Sequence, residues 1–397
     1  MSHKLINHNS DLKRLCDEGY GLEIKGVHLL LHGVPYVNSR KEIQRGILVS
    51  ALTLLSPEKV GQPNGNGQHV IYFIGELPCT CDGIPIQGLM LSSGNQVLDQ
   101  TLGITVNHSF SNRPANGFND YYEKFTSYVR ILESQAQAID PSVSAKTNRV
   151  IESSDPDYPF KYLDTNSSRA GIVSISSKLE NQKIAIVGLG GTGSYVLDFA
   201  AKTPVKEIHL FDSDTLLLHN AFRAPSAATK SQLDAQNKKV KHWHEIYSHL
   251  HKKVIPHEFD LDASNLELLT GMSFVFICID DGVSKKAIIE KLIGSGVPFC
   301  DTGIGIQNVD GALTGSIRVT TGTAAKHDHI KERVPLDNNG NDEYQTNIQI
   351  AELNALNAVL AVIKWKKLFG FYHDLEKEHH AVYDLNVNKL MNDEAGP

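Results

Sequence analysis

A short apolar run, Ile184–Val187, passes at once into Gly188-Leu-Gly190-Gly191-Thr-Gly193-Ser194. No other stretch constrains the fold as much. A strand ending in glycines at this spacing turns sharply into a helix, because Cβ atoms there would block both the turn and a phosphate approaching the backbone amides. Ser194–Ala201 reads as that helix. Downstream, Glu207–Phe211, Phe274–Ile279 and Val297–Cys300 read as further short strands, separated by helical stretches. Buried strands alternating with helices predict an α/β domain built on a doubly wound, mostly parallel sheet. Leu313–Thr320 alternates more loosely and is expected as an antiparallel addition. Leu353, Leu356, Leu360 and Ile363 share a face, which predicts a last long helix from Ile348 to Phe369.

The chain has 397 residues, more than one such sheet needs at about 150 residues per domain. Upstream of residue 141 the pattern differs. Apolar, β-rich runs occur at Val27–Leu31, Ile47–Leu55 and Val70–Ile74, with a Gly- and Pro-containing loop at Gln62–Gly67. Tyr122, Phe125, Val129, Leu132 and Ala136 predict a helix over Asn119–Ile139, with Asn119 as its cap and Pro141 just past its end. Ser142–Ser168 is polar and aperiodic and reads as a crossing segment. The expected division is a separate N-terminal α+β domain at 1–140, a linker at 141–178 and the parallel-sheet domain at 179–397.

Composition excludes several functions. With 38 Lys plus Arg against 45 Asp plus Glu, the formal charge is −7, which is not the footprint of a nucleic-acid binder. No apolar run approaches the roughly 18 residues that cross a membrane, and Met1–Tyr20 is too polar for a secretory signal. Five scattered cysteines argue against a disulfide framework and for a reducing cytoplasm. Without paired CxxC motifs, no structural zinc is expected.

The second apolar run ends in Asp212-Ser-Asp214 and is followed by Asn220-Ala-Phe-Arg223. A dinucleotide site needs one acid for its ribose. A second carboxylate, an amide and an arginine suit a triphosphate with magnesium instead. Together with the glycine turn, this order resembles the ThiF/MoeB/ubiquitin-activating-enzyme family of ATP-dependent adenylyltransferases, over residues 165–370. The resemblance implies a Rossmann-like fold in which Gly188, Gly190, Gly191, Gly193 and Ser194 hold phosphates and Asp212 holds the ribose. Asp214, Asn220 and Arg223 match the family's D-x-D…N-x-x-R pattern. Lys239 resembles the family's site lysine, with Lys238 left open because the intervening loop differs in length. Cys278-Ile-Asp280-Asp281 is similar to C-T-D-N, whose aspartate handles magnesium. Ser168-Arg169-Ala-Gly-Ile resembles the segment that crosses a dimer and sets an arginine on the partner's ATP. The implied catalytic set is Arg223, Lys239, Asp280 and Arg169; the implied cofactors are ATP and Mg2+; the implied assembly is a homodimer.

The chain also departs from that pattern. Thr320–Asn347, where many ubiquitin-activating relatives carry a catalytic cysteine, holds none and is polar instead, through His327–Arg333 and Asn338–Asp342. Cys278 and Cys300 lie on apolar runs and are expected as buried structural thiols. The reading from Cys79-Thr-Cys81 is likewise structural. The activated acyl group therefore passes directly to a conjugating partner, or onto a hydroxyl of Thr320, Thr321 or Thr323 with His327 or His329 as base. His242, His244, His249 and His251 read as one helix's solvated face rather than a zinc site. His108–Pro114 and Gly117–Lys124 resemble an uncharacterised domain fused ahead of adenylyltransferases in bacterial ubiquitin-like conjugation operons. That implies a ubiquitin-like protein and a conjugating-enzyme-like protein as partners. The expected function is ATP-dependent adenylation of the C-terminal glycine of a ubiquitin-like protein. The alternatives are adenylation of another carboxylate (small molecule, peptide or tRNA-linked) and a nucleotide-dependent scaffold without chemistry, against which Arg223, Asp280 and the lysine argue.

Overall fold

Alternate residues of His28–Val37 face opposite ways: Leu29 and Leu31 enter one apolar cluster and Leu30 another. This strand belongs to the first of two units in the computed structural model, residues 1–158 with 162–173; the second is 159–161 with 174–397. The structure describes residues 2–65, 67–153, 155–337 and 348–396; the polar run Asn338–Asp342 lies outside them. The first unit contains α1 (Ser2–His8), α2 (Ser10–Asp17), β1 (Gly21–Lys25), β2 (His28–Val37), β3 (Ile43–Ala51), β4 (Leu54–Ser56), β5 (Lys59–Val60), β6 (Ile71–Ile74), β7 (Met90–Asp99), β8 (Ile104–Phe110), α3 (Tyr121–Gln137) and α4 (Thr165–Arg169). Six strands form an antiparallel sheet in the order β1-β2-β3-β6-β8-β7.

The predicted apolar stripe of α3 (Phe125, Val129, Leu132) packs with Leu29, Leu31 and Tyr36 of β2. Its cap is Asp120 rather than Asn119: the Asp120 carboxylate accepts from Glu123 N at 2.7 Å, while Asn119 N donates to Glu123 Oε2. Lys124 is fully buried, its ammonium donating to Ser50 Oγ (2.7 Å), Gln68 O (2.6 Å) and Val70 O (2.9 Å). The polar segment after residue 141 is partly built into this unit, since Ala145 is buried in its core.

The second unit runs through α5 (Val173–Ser176), β9 (Lys183–Val187), α6 (Gly191–Ala200), β10 (Glu207–Phe211), α7 (Lys230–Asp234), α8 (Lys239–Tyr247), β11 (Val254–His257), β12 (Phe274–Ile277), α9 (Gly282–Ser295), β13 (Phe299–Val309), β14 (Ala312–Gly322), α10 (Ile330–Arg333), α11 (Ala351–Leu368), β15 (Glu378–Asp384) and β16 (Lys389–Ala395). Its eight-stranded sheet has the order β11-β10-β9-β12-β13-β14-β15-β16. The first five strands are parallel and the last three join antiparallel. The fold is α/β and doubly wound. Both faces are buried: Ile184 and Ile186 enter one core, Ala185 and Val187 the other. The chain leaves β9 toward β10 and β11, then returns to the other side for β12. The switch point opens a crevice beyond the C-terminal ends of β9, β10 and β12, where open α/β sheets bind ligands.

The histidine reading needs correction. Helix α8 stops at Tyr247, so His249 and His251 lie beyond it, and His242 and His251 are buried rather than solvated. His251 Nε2 donates to Val205 O at 2.9 Å and Nδ1 accepts from Lys253 N at 3.2 Å, which fixes a neutral ring. Burial pushes its pKa from 6.5 down to about 4. The unfolded chain therefore takes up the proton first as pH falls. Stability from this ring is intact above pH ~6.5 and is lost between there and pH ~4, by about 3 kcal/mol in all. Urea unfolding of the second unit at pH 7 and pH 4.5 should show that slope, reduced in His251→Asn; an unchanged slope in the variant would rule His251 out as its source.

Candidate active site

The turn after β9 is held by close approaches. Gly188 has φ 89°, and a Cβ on it would stand 2.6 Å from Cys278 O. A Cβ on Gly193 would stand 1.9 Å from Gly188 O. Helix α6 begins at Gly191, three residues earlier than the periodicity predicts, because the glycines themselves form its first turn. Gly191 abuts Asn354 of α11, whose Oδ1 accepts from Thr192 Oγ1 at 3.1 Å and whose Nδ2 donates to Arg223 O at 3.3 Å. The amides at the start of α6 thus face the crevice, with the positive end of the helix dipole behind them.

Above this turn lies a cavity of about 430 Å3. It brings together Gly188, Gly190, Gly191, Asp212, Asp214, Arg223, Lys239 and Asp280. Asp212, at the end of β10, is buried; its carboxylate accepts from Leu189 N (2.6 Å) and Asp214 N (2.8 Å). Burial pushes its pKa up, against the pull of Lys239 and those two donors. The Lys239 ammonium lies 2.6 Å from Asp214 Oδ2 and 3.6 Å from Asp212 Oδ2. Lys239 therefore faces the cavity, whereas Lys238 turns to Ser213 O at 2.5 Å. Arg223 contributes a buried Nε with no partner, a donor left for an incoming anion. Asp280 stands exposed just past β12, while its neighbour Asp281 caps α9 by accepting from Ser284 N at 2.8 Å.

Other proposed positions are internal ties. Gly193 does not line the cavity, and Ser194 is buried with its hydroxyl donating to Gly191 O at 2.8 Å. Asn220 is buried and accepts from Leu217 N at 2.8 Å, closing the 3-10 turn Leu218–Phe222. Arg169 ends α4 in the first unit, where its Nη2 donates to Asp17 O at 2.9 Å.

Burial weighs against the hydroxyl route at Thr320 and Thr321. Thr320 and Thr321 are 0% and 1% exposed on β14, and neither they nor Thr323 line the cavity. Thr320 Oγ1 accepts from Arg318 Nη1 at 3.0 Å and pairs with His380 Nδ1 at 2.9 Å. Thr323 Oγ1 accepts from Lys326 N at 3.1 Å. His329 is buried, and the ring of His327 is 3.0 Å from Thr323 O. Thr320 and Thr321 cannot meet an acyl group in the cavity without opening β14; Thr323 and His327 lie past the end of that strand, partly exposed and outside the cavity's lining. The thiols are not activated: Cys300 is buried and pushed well above the ordinary range, while Cys278, half-buried rather than buried as expected, borders the cavity but is pushed up to about 12.

Sequence reasoning missed Asn354, Asn357 and Gln349. Asn357 is fully buried, donates to Gly303 O at 3.1 Å, and borders the cavity with Gln349; the side-chain oxygens of both have no partner. A signal existed: Asn354 and Asn357 recur three residues apart within Leu353–Ile363, a stretch of α11 that is otherwise apolar.

The cavity's charge bears on what it can hold. Five aspartates line it (212, 214, 260, 280 and 281) against two cations, Arg223 and Lys239. A bare polyphosphate would be repelled, whereas one carrying a divalent cation fits. Among the described residues no group of three or more His, Cys, Asp or Glu could hold a metal. Magnesium suits that arrangement, because it is commonly held by one or two carboxylates together with substrate phosphates.

Residues 168–391 match the family model described as ThiF family, and residues 10–165 match a domain of unknown function (DUF6791). Ubiquitin-like modifier-activating enzyme 5 of Aedes aegypti is 25% identical over 156 residues, covering 36% of this chain and 39% of that one. Its Drosophila willistoni counterpart is 24% identical over 200 residues, covering 47% of each. The chain thus spans less than half the length of these relatives. Among solved structures, E. coli MccB with MccA-N7isoASN has a TM-score of 0.47 at 15% identity, over 58% of this chain and 70% of that one. PaaA has a TM-score of 0.44 at 17% identity, over 56% and 75%.

Proposed function

The chain belongs to the ThiF family, and from that premise we propose that it adenylates the C-terminal glycine of a ubiquitin-like protein at the expense of ATP. One observation carries the reading: the glycine turn, Asp212, Arg223, Lys239 and Asp280 converge on a single cavity at the sheet's switch point. The substrate carboxylate attacks the α-phosphate in line. A carboxyl oxygen–phosphorus bond forms as the bond to pyrophosphate breaks, giving the acyl adenylate. The reaction needs alignment and charge neutralisation rather than a protein nucleophile. The α6 amides seat the phosphates and Asp212 takes the ribose hydroxyls. Arg223 and Lys239 neutralise charge that builds on the leaving pyrophosphate. Lys239 must leave Asp214 to do so, so Asp214 holds the lysine ready. Asp280 would hold Mg2+, which supplies Lewis-acid stabilisation to the phosphates.

With Thr320 and Thr321 buried on β14 and the Cys278 thiol at the cavity's edge kept un-ionised by burial, the adenylate passes directly to a conjugating-enzyme-like partner. A ubiquitin-like protein with its terminal glycine should drive labelled pyrophosphate into ATP, and deleting that glycine should silence the exchange. Equal exchange with short peptides or free amino acids would point to another carboxylate.

The reading includes a homodimer in which Arg169 serves the partner's site. Arg169→Ala and Asp280→Ala chains are each inactive in that case. Mixed, they should recover about a quarter of wild-type exchange, since half the dimers are hybrids with one intact site each. No recovery, with dimers confirmed by light scattering, would place Arg169 outside the partner's site.

A further inference from the structure

The first unit has a cavity of its own, about 380 Å3, that the adenylation chemistry does not use. Its walls come from the end of α2 (Cys16, Gly19), from Tyr20 and Leu22, from the strap Asn148–Ile151, and from Tyr162–Arg169. The strap is tied down: Asn148 N donates to Gly19 O at 2.9 Å. Gly19, at φ 94°, leaves no room for a side chain, since its Cβ would stand 2.5 Å from Asn148 Oδ1.

The lining is apolar except for Asn148, Thr165 and two guanidinium groups, Arg149 and Arg169; among the described residues no Asp or Glu lines it. Arg169 is oriented by one bond, from Nη2 to Asp17 O at 2.9 Å, which uses one of its five N–H donors. Arg149 uses its main-chain N–H, toward Thr147 Oγ1, and its charge acts on the Glu23 carboxylate, which is not part of the lining. The Cys16 thiol, pushed up to about 12 chiefly by burial, is a neutral wall and not a nucleophile. At the mouth, Val150 and Tyr162 leave apolar surface in water, at 66% and 38% exposure.

An apolar hollow with two fork-shaped cations and no anion is complementary to a particular ligand class. The body must be apolar, and the head must be a planar anion able to take paired N–H donors. We propose that this cavity binds a small amphipathic carboxylic acid, with an aliphatic or aromatic body of roughly a dozen non-hydrogen atoms or fewer. The proposal does not depend on adenylation by the second unit, but it competes with the role proposed for Arg169 in a partner's site, since one guanidinium cannot serve both.

Calorimetric titration of the full chain with octanoate, octanamide and octylammonium tests it, with hydrogen exchange to locate the site. Octanoate should bind, octanamide about tenfold or more weakly, and octylammonium not measurably. Exchange should slow in residues 148–151 and 162–169. Arg149→Gln, at an exposed position where folding is not at stake, should weaken octanoate about tenfold and leave octanamide unchanged. Arg169 stays untouched because another role is proposed for it. Equal binding of acid and amide, protection confined to other residues, or no binding of octanoate, decanoate or 4-phenylbutyrate would each overturn the proposal.

Discussion

Asp280→Ala will abolish ATP–pyrophosphate exchange while leaving the fold intact. The side chain stands exposed past the end of β12, on the cavity wall. Neighbouring Asp281 makes the capping bond to α9, so removing Asp280 leaves that helix's start in place. What is lost is the carboxylate best placed to bring a divalent cation onto the phosphates. Arg223 and Lys239 then face the developing charge alone, and transition-state stabilisation should fall by several kcal/mol, about a thousandfold or more in rate. Thermal unfolding of the variant should match wild type. Exchange within a few-fold of wild type would remove Asp280 from the metal site.

Gly193→Ala should damage fold and site together, and Gly190→Ala should separate them. At Gly193 the new methyl would meet Gly188 O at 1.9 Å and Cys278 Cβ at 3.3 Å. One obstacle is backbone and the other a strand-end residue, so neither yields cheaply. Helix α6 must move off β9, at a cost of about 3 kcal/mol or more, and ATP affinity should fall at least about a hundredfold as the amides lose their alignment. At Gly190 nothing lies within 4 Å. An alanine there fits the folded chain but stands where the cavity opens, so ATP binding should weaken with little change in unfolding temperature. Thermal melts paired with ATP titrations decide. Gly193→Ala with wild-type stability, or Gly190→Ala with wild-type ATP affinity, would contradict this view of the turn.

The parallel core was legible because strands buried on both faces read as apolar runs: Phe274–Ile279 contains β12 (Phe274–Ile277), all four of whose residues are buried. The glycine turn, the Asp212–Asp214 pair, Arg223, Lys239 and Asp280 were legible as an ordered set, and the fold brings them to one cavity. Other features carry no such signal. β16 (Lys389–Ala395) is mostly exposed and has no apolar alternation, so nothing marked the C-terminal hairpin as part of the sheet. Asn220 and Ser194 matched a pattern, but the pattern does not say whether a polar side chain faces ligand or backbone. Thr320 and Thr321 lay near the right strand end in sequence. Their burial follows from pairing with β13 and β15, which is a tertiary fact. His242 and His251 were misread as solvated because their burial is likewise a tertiary fact.

The central claim is carboxylate adenylation, and its product can be caught directly. The enzyme, a ubiquitin-like protein ending in glycine, Mg2+ and ATP labelled at the α-phosphate should be mixed for a single turnover, then quenched in acid. The account predicts AMP attached to the carrier's terminal carboxyl, with one pyrophosphate released per AMP bound, and neither product from Asp280→Ala. Label appearing as ADP, or as free AMP at the same rate with and without the carrier, would contradict it.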